Sequence, residues 1–116
     1  MAQITIDVAD DVICNLFFTI AEDREAQNWL WIQWPRDITF HNFADKMKGG
    51  ATITCKEVDG AEVLATYTVT WAMLVEAVQK LQKYPHILAN VLRDDADAND
   101  AEVWLQLAMF DEVRYG

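Results

Sequence analysis

Two runs rich in β-branched residues, 51–58 and 62–69, flank Asp59-Gly60, and this arrangement constrains the fold more than any other feature of the chain. β-Branched side chains fit a pleated surface, and an Asp-Gly pair supplies the left-handed backbone that a tight hairpin turn needs. The two runs are therefore predicted to pair antiparallel. A further strand is read at 28–34, ended by Pro35. If that segment is extended, Trp29 and Trp31 point one way and Leu30 and Ile32 the other. Both faces are apolar, the pattern of a strand covered on each side.

Helical periodicity lies outside this central block. Residues 10–24 carry Val12, Ile13, Leu16, Phe17 and Ile20 on one face, with Cys14 and Phe18 widening it. Asp10 and Asp11 stand at its start, where carboxylates complement the helix dipole. Ile4 and Ile6 alternate with Thr5 and Asp7, either as a short strand or as a lead-in. Residues 36–50 are weakly patterned and read as a loop with room for a helical turn. Thr70 suits an N-cap, before a helix carrying Trp71, Leu74, Val75, Val78 and Leu81. Pro85 fits the first turn of a shorter helix with Ile87, Leu88, Val91 and Leu92. Asn99 and Glu102 match a capping box for a last helix presenting Val103, Trp104, Leu107, Ala108 and Phe110. Strands and helices segregate along the chain. The predicted fold is one α+β domain over residues 1–116: a small antiparallel sheet of about three strands, including the hairpin at 51–69, packed with an N-terminal helix and about three C-terminal helices.

The net charge of −10 is uneven. Residues 1–25 hold six acids against Arg24, a net −5, and residues 94–116 hold seven against Arg114, a net −6. The middle of the chain is close to balanced. Phosphate neutralisation needs a basic surface, so direct nucleic-acid binding is disfavoured. A protein with a basic surface, or with a groove that normally holds nucleic acid, is the more natural partner; the plainer alternative is that acidity keeps an aromatic-rich chain soluble. No stretch reaches the roughly 18 apolar residues of a membrane span, and the first residues lack a signal-peptide pattern. Cys14 and Cys55 sit in apolar segments and read as small core residues of a reduced compartment, with a single disulfide between them as the alternative.

No constellation points to catalysis, a cofactor or a metal. Asp95, Asp97 and Asn99 alternate like the opening of a calcium loop, but Asp100 stands where glycine is needed and Gln106 where the closing glutamate belongs. An acidic helix start explains them better. His41 and His86 have no zinc-ligand spacing, and a thiol in an apolar helix such as Cys14 is inert. The paired acids Asp10/Asp11 and Glu22/Asp23 are helix neighbours that do not face each other. Among the tryptophans of 28–34, Trp34 beside Pro35 is the candidate exposed ring, and Tyr115 is another.

Leu81-Gln82-Lys83-Tyr84-Pro85-His86, then Asp97-Ala98, then residues 101–116 resemble the carboxyl end of a family of small uncharacterised bacteriophage proteins, frequent in phages of actinobacteria. Those chains end in Asp-Ala, Ala-Asp, a Leu-Gln pair, Phe-Gly-Glu and a final Tyr-Gly or Phe-Gly. Ala101, Leu105-Gln106, Phe110, Glu112 and Tyr115-Gly116 fall on that pattern, whereas Glu102 replaces Asp and Asp111 replaces Gly. Upstream, Thr19-Ile20-Ala21-Glu22 and Asn28-Trp29 are similar to the family's Thr-Ala-x-Glu-Gly-Gly and Asn-Tyr-Trp, with Asp23 and Arg24 in place of the paired glycines. The resemblance implies a phage gene product acting in the cytoplasm of an infected bacterium. It implies no mechanism.

The expected function is that of an acidic, non-enzymatic accessory protein that binds and inhibits a host protein. It would act as a nucleic-acid mimic against a defence system of the CRISPR or restriction type. Carboxylates on a rigid face can occupy a Lys/Arg groove built for phosphates. The residues expected to do so are Asp94, Asp95, Asp97, Asp100 and Glu102, joined by Asp10 and Asp11 if the chain ends converge. The alternative is an interaction or assembly module that uses apolar surface at Trp34 and Tyr115, including as a homodimer, with no inhibitory role.

Overall fold

The computed structural model describes residues 5–115. Ile4 and Gly116, which entered the readings above, lie outside the described residues. The order is α1 (Asp10–Ala21), β1 (Leu30–Gln33), α2 (Phe43–Lys48), β2 (Ile53–Asp59), β3 (Glu62–Val69), α3 (Trp71–Lys80), α4 (Pro85–Leu92) and α5 (Ala98–Phe110). The strands form one antiparallel sheet in the order β1-β2-β3. The fold is α+β, as the segregation of strand and helix patterns predicts.

The hairpin forms where expected, with its turn displaced by one residue. Asp59 and Glu62 pair across the strands, so the loop residues are Gly60 and Ala61. Gly60 has φ +60° and Ala61 is not left-handed, the pattern of a turn that needs glycine at its first loop position. A bulge between Glu57 and Val58 shifts the register near this end. Ile53, Cys55 and Glu57 face inward, while Thr54 and Lys56 face out.

The tryptophan strand departs from expectation. Trp29 has φ −129° and ψ −10°, which is not extended backbone, so its ring leaves the strand alternation and turns into the core at 4% exposure. The strand proper is only four residues long, and its outward face is open, leaving Trp31 53% exposed. One face of the sheet is covered, not both. An antiparallel sheet tolerates this, because its outer face can stay in water.

The helices cover the inner face. α5 is buried from Ala101 through Phe110 on nearly every side, with only Glu102 and Val103 half-exposed, and it packs against α1, α3 and β3. A helix apolar all round belongs at the centre of a core. Trp104 fills that centre and its indole N–H donates to the Leu74 carbonyl at 3.0 Å. Phe17 packs at ring distances of 5.1 Å from Phe43 and 6.4 Å from Trp104. Thr70 caps α3 by accepting from the Met73 amide, and Pro85 opens α4, as read from the sequence. The cap of α5 is a correction. Asp97 and Asp100, not Asn99 and Glu102, form the capping box. Both pairs have the required spacing, and Asp97 wins because its backbone is extended at the point where the chain enters the helix. Before α1, the Ile6 backbone is held at both ends by Gln79, whose side chain accepts from its amide at 2.8 Å and donates to its carbonyl at 2.7 Å.

Candidate functional site

The acids expected to form a contact face divide into two groups. Asp100 is 6% exposed and accepts from the Asn90 side chain and the Asp97 amide, so it belongs to the interior. Glu102 is half-buried and accepts from the Trp29 indole N–H at 2.9 Å. Both residues serve packing, and the sequence reading that placed them on a contact face is corrected accordingly. Asp94, Asp95 and Asp97 remain exposed at the corner between α4 and α5. Asp94, at φ +54°, accepts from the Asn15 side chain at 3.1 and 3.2 Å, which ties this corner to α1. Asp11, exposed one turn before Asn15, lies on that same side of α1. Asp10 instead pairs with Lys48 at 2.8 Å.

Tyr115 is not a free ring. It stacks on Trp29 with centroids 5.0 Å apart and planes 7° from parallel, and its hydroxyl donates to Glu57 at 2.5 Å. Arg114 completes the contact, donating to both Glu57 oxygens at 3.1 and 3.3 Å. The Tyr115–Glu57 hydrogen bond, together with partial burial and the Glu57 charge, pushes the Tyr115 hydroxyl up to about 12. Gln106, fully buried on α5, accepts from the amides of Arg114 and Tyr115 at 2.7 and 2.8 Å and donates to the Tyr115 carbonyl at 3.0 Å. The segment after α5 is thus latched back onto helix and sheet. From sequence, Gln106 enters only as a failed calcium ligand and a residue of the resemblance, and Glu57 does not enter at all. The signal was there in each case: a polar residue at a position whose neighbours are core, which demands a buried partner.

Trp34 does stand at the surface, 39% exposed, with its inner edge against Phe17 and Phe18 at 5.5 and 5.1 Å. Phe18 also meets Phe40, itself 46% exposed, at 5.2 Å. Beside this ridge lies a groove of about 630 Å³, with Ile20, Ala26, Leu30, Trp31, Ile32 and Trp34 among its lining residues. Sequence reasoning missed the groove and Trp31 because it covered both faces of the sheet. Lys56, directly across from Trp31 on β2, rests over the indole at 5.0 Å.

No family model matches this chain, and no curated protein or solved structure matches it.

Both thiols are buried and unbridged. Burial pushes each above the ordinary range, Cys55 to about 12, so at neutral pH they are protonated and poor nucleophiles. His41 and His86 are both exposed. Among the described residues no three His, Cys, Asp or Glu side chains are placed to hold a metal ion, and no helix is long and apolar enough to cross a membrane. Two surface features stand out: the aromatic groove along β1 and the exposed carboxylates of the α4–α5 corner.

Proposed function

We propose that this chain is a non-catalytic protein-binding domain that docks a partner bearing basic surface, and that occupying that surface inhibits the partner. The observation that carries this reading is the groove along β1, where Trp31 and Trp34 remain exposed over an apolar floor. Exposed tryptophans beside an apolar pocket are the residues that most often dominate binding energy. The net charge of −10 supports a cationic partner. The resemblance of the carboxyl end to small phage proteins supports an accessory protein whose partner belongs to the infected bacterium.

A second reading, mimicry of nucleic acid, rests on the α4–α5 corner. There Asp94, Asp95 and Asp97 are exposed together, with Asp11 on the neighbouring helix. The two readings part on mutation. The partner is captured from bacterial lysate, and its affinity is then measured for Trp34→Ala, Trp31→Ala and the triple Asp94→Lys/Asp95→Lys/Asp97→Lys variant at low and high salt. Groove binding predicts losses of about thirtyfold or more from the tryptophan variants, the size of a hot-spot truncation. Mimicry predicts that the triple variant and high salt abolish binding while the tryptophan variants do not. Indifference to all of these changes refutes both.

A further inference from the structure

We infer that the β1 groove receives an extended segment of the partner, with apolar residues at alternate positions and Lys or Arg between them, which pairs with β1 as a fourth strand. This rests on the groove reading above and assigns its binding mode. Three observations lead to it.

The first is the free edge. The Val58 amide donates to the Trp29 carbonyl at 2.8 Å, which marks Trp29 and Val58 as a hydrogen-bonded pair of the antiparallel ladder. Alternation then makes Trp31 and Lys56 the next bonded pair and turns the amides and carbonyls of Leu30 and Ile32 away from β2. Among the described residues no backbone group outside the strand closes that edge. The second is where the groove lies. It touches Leu30 and Ile32, which face the core, and also Trp31, which faces water. With the other edge of β1 occupied by β2, a groove that reaches both faces of the strand passes around its free edge or around its Trp29 end, where Val58, Gly60 and Ala61 also line it. Unpaired backbone groups flanked by side-chain pockets are what strand addition uses, the ladder giving affinity and the pockets specificity.

The third observation is charge, which selects the occupant. Glu22 and Glu25 adjoin the lining residues Ala21 and Ala26, and Asp59 and Glu62 bracket Gly60 and Ala61 at the other end. Asp59 and Glu62 are directly opposite each other, both exposed, and no ion pair among the described residues engages either. Like charges directly opposite destabilise a sheet, so a cation seated there relieves a strain the free protein carries. With Asp23, these acids outnumber the cations within the same reach of the lining, Arg24, Arg36 and Lys56. A second copy of this chain is a poor occupant, because a two-fold edge pairing would bring the same acidic rim against itself.

The test selects binders from a displayed library of random short peptides and follows the strongest by amide hydrogen exchange on the intact protein. The expected peptides alternate apolar residues with Lys or Arg. Their binding slows exchange at Leu30 and Ile32 by about tenfold or more. N-methylation of the peptide at alternate amides abolishes binding in one phase of the alternation and not in the other. Trp31→Ala and Ala61→Lys, both at exposed positions, weaken it. Binding lost on those substitutions but leaving Leu30 and Ile32 unprotected overturns strand addition and leaves the groove reading standing. Binding indifferent to them, selection of acidic or helical peptides, or selection of no binder overturns both. Self-association of the protein at the same edge, seen by sedimentation, overturns the charge argument.

Discussion

Replacing Gln106 with Leu tests the latch that folds the chain back after α5. The side chain is fully buried and makes three hydrogen bonds, all to the backbone of Arg114 and Tyr115. Leu keeps the volume and adds apolar character, so burial alone predicts a neutral or stabilising change. The hydrogen-bond argument predicts the reverse. At about 1 kcal/mol for each bond lost, the variant is destabilised by about 3 kcal/mol. The loss is bounded because the segment can swing out and recover its bonds from water. It then gives up the Trp29–Tyr115 stack and the Tyr115 bond to the buried Glu57 instead. Urea unfolding measures the free energy, and near-ultraviolet circular dichroism reports the Trp29 environment. The expected result is a fall in midpoint at unchanged slope, a thermal midpoint lower by roughly 10 °C, and a diminished aromatic signal. If Gln106→Leu unfolds within about 0.5 kcal/mol of the parent with its aromatic signal intact, the latch contributes nothing and the reasoning fails.

Three further outcomes follow from the same structure. Asp111 ends α5 at φ +60°, a conformation that costs a side chain about 1 kcal/mol, while its ion pair with Lys80 is formed by a carboxylate 77% exposed and adds little. Asp111→Gly should therefore raise the urea midpoint, and a lower midpoint would show that the Lys80 pair outweighs the backbone. Asp97→Ala removes half of the α5 capping box and should lower stability by about 1 kcal/mol in the same assay, whereas Asn99→Ala should change it little. Above neutrality, Cys55 and Tyr115 both hold their protons more tightly in the fold than in the unfolded chain, whose ordinary values are 9.0 and 10.0. The folded state then binds more protons, so the contribution of these two groups to stability is present below pH 9, is lost as pH rises from there, and goes on falling toward pH 12. Tyr115→Phe should flatten this decline above pH 10, and an unchanged slope there would remove Tyr115 from the account.

The elements were legible where the signal is local. Thr70 and Pro85 mark helix starts whatever packs above them, and Gly60 fixes a turn because few other residues adopt its backbone. Local signals fail when two of them compete. Asp97/Asp100 and Asn99/Glu102 have the same cap spacing two residues apart, and the tertiary bond from Trp29 to Glu102 removes the second pair from contention. The surface was legible only in part. Trp34 was found from its place beside Pro35, whereas Tyr115 was misjudged because its partner Glu57 is 58 residues away. Trp31 was hidden by the assumption that Trp29 shares its strand geometry, and no pattern of residue types reveals a ψ of −10°.

The specific side-chain bonds that close this fold span long stretches of chain: Ile6 to Gln79 and Trp29 to Glu102 over 73 residues, Asn15 to Asp94 over 79. α5 packs against α1 from the first half of the sequence and α3 from the second, so the N-terminal half cannot complete a core without it. Loop-closure entropy must be spent before such contacts return anything. Helices α3 and α4 can flicker early, but α1 and the sheet have no permanent seat until α5 arrives. Folding of this chain is therefore expected to be a single concerted event, with no stable N-terminal fragment along the way.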